Sequence, residues 1–405
     1  MNTPGSVLPG FYGRGSKNNC ESNKTSGLPH GVNHMNKPIQ PLFIMPNLLG
    51  GGAERVLLTL LRNLGADFQP WLLLLRNEIA YPDEIPPHIH LVTISQKGER
   101  IRDNLPKLRL FLKELDGQCD LIVGGLELDA TYWAYTLGLL THKPVIGWVH
   151  TLLPVYLQDY PRWHKHLSRW IYPRLKRVIC SSEDIEAAMN TFMGQRAWQK
   201  TIIPNPLDLE WITNKSEEAV PAWMEPVQRK PFIIALGRLN DQKGFDILLR
   251  GFALAVERGL DYHLLILGEG SQRQVLEELA NTVGVASRLF LPGFVPNPYP
   301  FIQRAAMLVS PSRYEGVGMN LLEAMALMVP VIANTTAGGM ACLVENGQYG
   351  IPVENNSPEP WAEALFQACH CNQEIIANGY QKAASFTPEQ AVRQWQVVFE
   401  CCMDK

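Results

Sequence analysis

What this chain has little of narrows it first. Charged residues make up only 19% of it, and 36 basic against 39 acidic side chains leave a net charge of −3, which points away from nucleic acid as a partner. No long apolar run stands in the first 37 residues, so neither a signal peptide nor a membrane span is read there, and the expected location is cytoplasmic, at most peripheral on the cytoplasmic face of a membrane. Eight cysteines (Cys20, Cys119, Cys180, Cys342, Cys369, Cys371, Cys401 and Cys402) have neither zinc-ligand spacing nor the density of a disulfide scaffold. They read as free thiols. The glycine run Gly50 to Gly52 lacks the GxGxxG spacing of a dinucleotide fingerprint and the GxxxxGK[ST] of a phosphate-loop ATPase. No DxD-type metal motif stands at a strand end, so the chain is expected to need neither a metal nor any other cofactor.

What is present is a regular alternation. A chain of 405 residues is expected to hold two or three domains. Residues 1–38, rich in Gly, Asn, Ser and Pro, read as a disordered tail, with Met35 an alternative start that N-terminal mass spectrometry would distinguish. Apolar runs at Pro41 to Met45, Trp71 to Leu75, His90 to Ile94, Leu121 to Gly124, Val145 to Trp148 and Val178 to Cys180 read as strands separated by helical segments, the first of them Ala53 to Leu64. They make up a first domain over 39–215. After a Pro- and Glu-rich connection at 216–230, a second cycle over 231–385 has strands at Phe232 to Leu236, His263 to Leu267, Arg288 to Leu291, Met307 to Ser310 and Val331 to Ala333. A final segment, 386–405, carries a helix from Pro388 long enough to pack back toward the first domain. The fold class is α/β, with two doubly wound parallel sheets facing across a cleft.

The most informative stretch is 310–333, SPSRYEGVGMNLLEAMALMVPVIA. Gly316 and Gly318 argue against one helix running from Glu315, so Glu315 falls in a loop and Met319 to Met328 forms the helix, with Glu323 early in it. Backbone N–H groups of Val317, Gly318 and Met319 then face outward from a helix start whose dipole favours an anion, and the glycines let a phosphate come close. Glu323 could accept hydrogen bonds from a ribose diol, while Glu315 faces whatever the diphosphate carries. The plainer alternative is a buried turn with two solvated glutamates.

Other strand ends add to this. Arg238 and Lys243 in LGRLNDQKG supply a planar fork and a point charge, a pair that suits a diphosphate as well as open surface. Gly268 and Gly270 follow the next strand, and Val295, in GFVP, follows the one after, where backbone groups could read a base edge. On the first domain, Gly51 and Gly52 allow close backbone approach, and His150, ending VIGWVH, could donate to a sugar hydroxyl or phosphate or sit in the core. Asn205 and Asp208, in IIPNPLD, read equally as turn chemistry. Segments 153–177 and 100–113 interleave aromatic or apolar residues with Arg and Lys. That pattern suits either an anionic membrane surface or a helix with a solvated basic face.

With those residues laid out, the chain resembles glycosyltransferase family 4, of GT-B architecture, over most of Pro41 to Trp395. GRLNDQKG, LGEGSQR, PGFV, PSRYEGVGMNLLEAMALMVPVIA and TTAGGMACLVENGQYGIPV carry the likeness. The resemblance implies a retaining transferase that moves a sugar from a nucleotide diphosphate donor, with UDP favoured, to a lipid-linked or glycan hydroxyl. Arg238 and Lys243 would hold the diphosphate, Glu315 the donor sugar and Glu323 the ribose, with Val317, Gly318 and Met319 as the backbone nest and Gly51, Gly52 and His150 contributed by the first domain. The form GGAER, Gly51 to Arg55, resembles members that build bacterial surface glycans. The long polar N-terminal extension departs from the pattern. Alternatives on the same fold are a nucleotide-sugar epimerase or hydrolase, and outside enzymology a membrane-surface binding protein.

Overall fold

The computed structural model describes residues 37–354 and 357–404, so all but the last two residues of the expected tail lie outside the described part. Seven strands form one parallel sheet in the order β3-β2-β1-β4-β5-β6-β7: β1 Pro41–Met45, β2 Trp71–Arg76, β3 His90–Ser95, β4 Leu121–Gly124, β5 Val145–Val149, β6 Arg177–Cys180 and β7 Lys200–Ile202. Six more form a second parallel sheet in the order β10-β9-β8-β11-β12-β13: β8 Phe232–Leu236, β9 His263–Leu267, β10 Leu289–Gly293, β11 Met307–Ser310, β12 Val331–Asn334 and β13 Ile351–Val353.

The central strands are continuous apolar runs because helices cover both faces of each sheet. PLFIM and HLLIL are buried at every position. The edge strands β7 and β13 were not read from sequence. Each is three residues long, and Lys200 at the edge is exposed, so neither shows the apolar run of a central strand. The helix after β11 runs Met319–Ala326, two residues short of the expected end, as Met328 turns to a φ of 56°. In the connection at 216–230, Met224 and Val227 are fully buried, so this segment is docked on the core.

Two features position the site. Strand order reverses between β1 and β4 in the first sheet and between β8 and β11 in the second, and crevices open at such reversals beyond the carboxyl ends of the strands. The last helix, Pro388–Met403, starts on a Thr387 side-chain cap and buries Trp395, Val398, Phe399 and Cys402 in the core of the first sheet. Trp395 meets Trp148 edge-on at 4.7 Å and Phe43 at 6.3 Å.

Candidate active site

On the second sheet, the loops after β8 and β11 are stitched into one wall. Arg313 forks onto Asp246 at 2.8 and 3.0 Å, and the Gln242 side-chain amide donates to the Tyr314 carbonyl at 3.1 Å. The Lys243 ammonium pairs with Glu315, whose Oε1 also accepts from the Ser312 hydroxyl at 3.3 Å. The Lys243 stem runs beside Gly237, next to Arg238. Arg238 is exposed, and its charge acts on Glu54 and Tyr156 of the first sheet's side, so it faces the gap. Gly318, at a φ of 80°, caps the helix Met319–Ala326 and leaves its first N–H groups without helical partners.

Gly268 and Gly270 lie one layer behind. A Cβ on Gly268, whose φ is 153°, would overlap the Gly237 carbonyl, and one on Gly270 the Leu239 carbonyl. Their absent side chains let the β8 and β9 loops close-pack. Val295 is half-buried just beyond Gly293, in the loop that faces Gly50 through Phe294.

The first sheet meets this wall directly. Gly316 touches the His150 carbonyl so closely that no Cβ fits, and the Ser182 hydroxyl donates to the Gly316 carbonyl at 3.3 Å. The Tyr314 hydroxyl reaches Asp159 at 3.2 Å, and Gly52 comes within 4.0 Å of Met319, measured from an added Cβ. Gly51 caps the helix Gly52–Asn63, with the Glu54 carboxylate folded back over it. Burial raises the Glu54 pKa, against the charge of Arg238.

The His150 ring takes the core placement that the sequence left open beside the donor one. Its Nε2 lies 3.2 Å from the Gly125 carbonyl, and burial pushes its pKa down to about 3, so the ring is neutral and Nε2–H donates inward. Nδ1, buried and without a partner among the described residues, is left as an acceptor rather than a donor. Behind it, the Glu127 carboxylate receives the N–H groups of His150 and Thr151. Burial raises the Glu127 pKa. Leu128, at a φ of 57°, turns the chain there.

Glu323 is buried among other partners than the Lys243 pair. The Tyr299 hydroxyl donates to its Oε1 at 3.2 Å, and Arg55 is its cationic neighbour. Asp208 accepts the Trp211 N–H at 2.9 Å as a helix cap and faces Arg62 at 3.7 Å, while Asn205 is buried. The structure thus gathers Arg238, Lys243, Glu315, Gly318, Met319, Gly51, Gly52 and His150 around one gap and sets Glu323 in a pocket beside it. Glu54, Arg55, Glu127, Ser182 and Tyr299 were missed from sequence. The acid and base following the glycine run were the available signal. Among the described residues no three His, Cys, Asp or Glu side chains gather to hold a metal ion, and no helix is long and apolar enough to cross a membrane.

Comparison with known proteins gives the family and the fold. The family described as glycosyltransferase family 4 matches residues 50–211, and glycosyl transferases group 1 matches 222–384. A 4-alpha-N-acetylgalactosaminyltransferase of Campylobacter jejuni, named for an N-acetylgalactosamine-N,N'-diacetylbacillosaminyl-diphospho-undecaprenol acceptor, is 28% identical over 81% of this chain and 89% of its own. An uncharacterised glycosyltransferase of Methanocaldococcus jannaschii is 23% identical over 57% of this chain, and the match spans only 65% of that relative's length. Among solved structures, Anabaena HepE in complex with UDP and glucose superposes with a TM-score of 0.73 at 18% identity, over 88% of this chain and 98% of its own. Sucrose-phosphate synthase from Thermosynechococcus elongatus gives a TM-score of 0.72 at 19% identity, over 89% and 98%. Both show two parallel α/β sheets in the GT-B arrangement.

Proposed function

Because the chain belongs to glycosyltransferase family 4, whose members are retaining enzymes that use nucleotide-sugar donors, we propose that it moves a hexose or N-acetylhexosamine from UDP to a hydroxyl of a lipid-linked glycan. The observation that carries this reading is the convergence of Arg238, the Lys243–Glu315 pair and the Gly318-capped helix start on the gap opposite Gly51, Gly52 and His150.

In this reading the diphosphate lies on the helix start between Arg238 and Lys243, with the backbone of Val317, Gly318 and Met319 beneath it. Glu315 turns from Lys243 to the donor sugar, Glu323 takes the ribose, and the loop around Val295 borders the base. Transfer is a front-face displacement. The bond from the anomeric carbon to the diphosphate oxygen breaks, the acceptor oxygen bonds to that carbon on the same face, and the acceptor proton passes to the departing diphosphate. Arg238 and Lys243 stabilise the charge that develops there. Closure of the gap excludes water and so limits hydrolysis of the donor. No step requires a metal, and EDTA is expected to leave turnover unchanged.

A lipid-linked acceptor also accounts for the surface of the helix Arg162–Ile171. Trp163 and Trp170 are 54% and 48% exposed there, beside exposed Arg162, Lys165 and Arg174. Leu139 and Leu140 stand out nearby, and Leu105 and Leu110 do the same on the second basic segment. Such a face suits anionic lipid, at about 1 kcal/mol per basic residue near the surface.

The test is product formation from a panel of UDP-sugars, GDP-sugars and ADP-sugars with polyprenyl-diphosphate-linked acceptors. Transfer with retained configuration is expected. Release of free sugar or an epimer without acceptor would favour a hydrolase or epimerase, and donor-independent vesicle binding alone a surface-binding protein.

A further inference from the structure

We propose that Arg55 is a positioning residue for nucleotide recognition: from the first domain it anchors both Glu323 and the loop after β10, so that ribose recognition is complete only when the two sheets' edges meet. The inference rests on the reading that Glu323 takes the ribose, and goes beyond it by assigning control of that carboxylate to the opposite domain.

Arg55 stands one turn into the helix Gly52–Asn63, just past the glycine loop. Its Nη2 donates to the carbonyl of Pro296, on the loop that borders the base in this reading. Its guanidinium carbon lies 5.2 Å from the Tyr299 ring and 5.4 Å from that of Tyr81. The Tyr299 hydroxyl in turn holds Oε1 of Glu323 at 3.2 Å. Arg55 and Glu323 line one pocket with Gly52, Tyr299 and Met319. A single first-domain cation thereby reaches both the ribose carboxylate and the base-side loop of the second domain.

The electrostatics give that contact a consequence. Burial pushes the Glu323 pKa up, and the Arg55 charge is the first influence opposing it, ahead of the Tyr299 hydrogen bond. A carboxylate must be ionised to accept both hydroxyls of a diol, since a protonated acid spends one oxygen as a donor. For Arg55 itself, burial would lower the pKa, and Tyr299, Glu323 and Glu84 outweigh it and hold the side chain charged. With Oε1 fixed by Tyr299, Oε2 is the oxygen left for the ribose.

The experiment measures binding of UDP, GDP and ADP, each beside its 2′-deoxy form, to the full chain and to Arg55→Gln, Arg55→Lys and Tyr299→Phe by calorimetry. Wild type should prefer the ribose form of its nucleotide by about tenfold or more, the worth of a hydrogen bond to a charged group. Arg55→Gln should cut that preference to about threefold or less, with Arg55→Lys recovering part of it. Should Arg55→Gln not fold, Tyr299→Phe, which keeps the cation but frees Oε1, should lower the preference in the same direction. A wild-type ratio retained in Arg55→Gln, or in Tyr299→Phe if only that variant folds, overturns the inference even where overall affinity drops. A wild-type chain blind to the 2′-hydroxyl, or binding none of the nucleotides, overturns the Glu323 reading and this inference with it.

Discussion

Replacing Lys243 by Met separates its two roles, as partner of Glu315 and as holder of the diphosphate. The two side chains form an ion pair that is 19% and 15% exposed, so solvent screens it only in part. Unit charges about 4 Å apart interact with about 4 kcal/mol at an effective dielectric of about 20, and desolvation and residual solvent return much of that. A loss of about 1 to 2 kcal/mol of folding stability is expected for Lys243→Met, since Glu315 keeps only the Ser312 hydroxyl. Turnover should fall further, by about 10²- to 10³-fold, because the ammonium also meets the charge that grows on the leaving diphosphate. The double variant Lys243→Met/Glu315→Gln removes the stranded carboxylate, so the stability should return while turnover stays low. Urea midpoints report the first quantity and donor consumption at saturating acceptor the second. Stabilisation by added UDP should be weakened in both variants, as the gain from a bound ligand grows with the logarithm of its concentration over Kd. If the double variant recovered wild-type turnover along with its stability, Lys243 would be a structural cation and the diphosphate assignment would be wrong.

Three further outcomes are expected. Gly316→Ala puts a Cβ onto the His150 carbonyl, so turnover should fall about tenfold or more through loss of closure, while urea denaturation shows about 1 to 3 kcal/mol of overpacking or less. Gly268→Ala adds a side chain at a φ of 153° against the Gly237 carbonyl, and a lower thermal midpoint is expected together with weaker nucleotide binding. His150, held neutral by burial with a pKa of about 3 against an ordinary value of 6.5, binds fewer protons folded than unfolded between those values. Its contribution is present above pH 6.5 and is lost as pH falls toward 3, by on the order of 5 kcal/mol at most. The buried carboxylates of Glu54 and Glu127 run the other way, their raised pKa values making stability decline as pH rises through them. The difference between wild type and His150→Phe across that pH range isolates the imidazole, and a difference that does not change with pH would refute its assignment.

Much of the architecture was legible because the encoding is local. A strand buried on both faces must be apolar throughout, and PLFIM, FIIAL and HLLIL announce themselves between glycine and proline punctuation. The helix start at Met319 could be read from Gly316, Gly318 and the breaker-free run after them, and Gly318 suits the positive φ that caps it. The edge strands β7 and β13 escaped notice, as three residues at a sheet margin need no apolar run, whereas the longer edge strands β3 and β10 were read. Gly268 and Gly270 were recognised as special, yet the neighbours that forbid a side chain there are Gly237 and Leu239 from the loop after the strand alongside, which no spacing rule names.

The residues by themselves determined two parallel sheets, a glycine-opened helix start, a cationic pair and Glu315 at strand ends, and Glu323 in the helix that follows. These follow from the side-chain period, backbone sterics and the dipole of a helix start, each acting within a few residues. Tertiary structure alone decided that Lys243 pairs with Glu315, that the His150 ring turns its proton inward to Gly125, and that Arg55 crosses the gap to Tyr299, Glu323 and Pro296. The first two depend on how neighbouring strands of one sheet bring their loops together, and the third on how two separately wound sheets meet. Their energies come from burial and Coulomb interactions at distances that sequence separation does not encode.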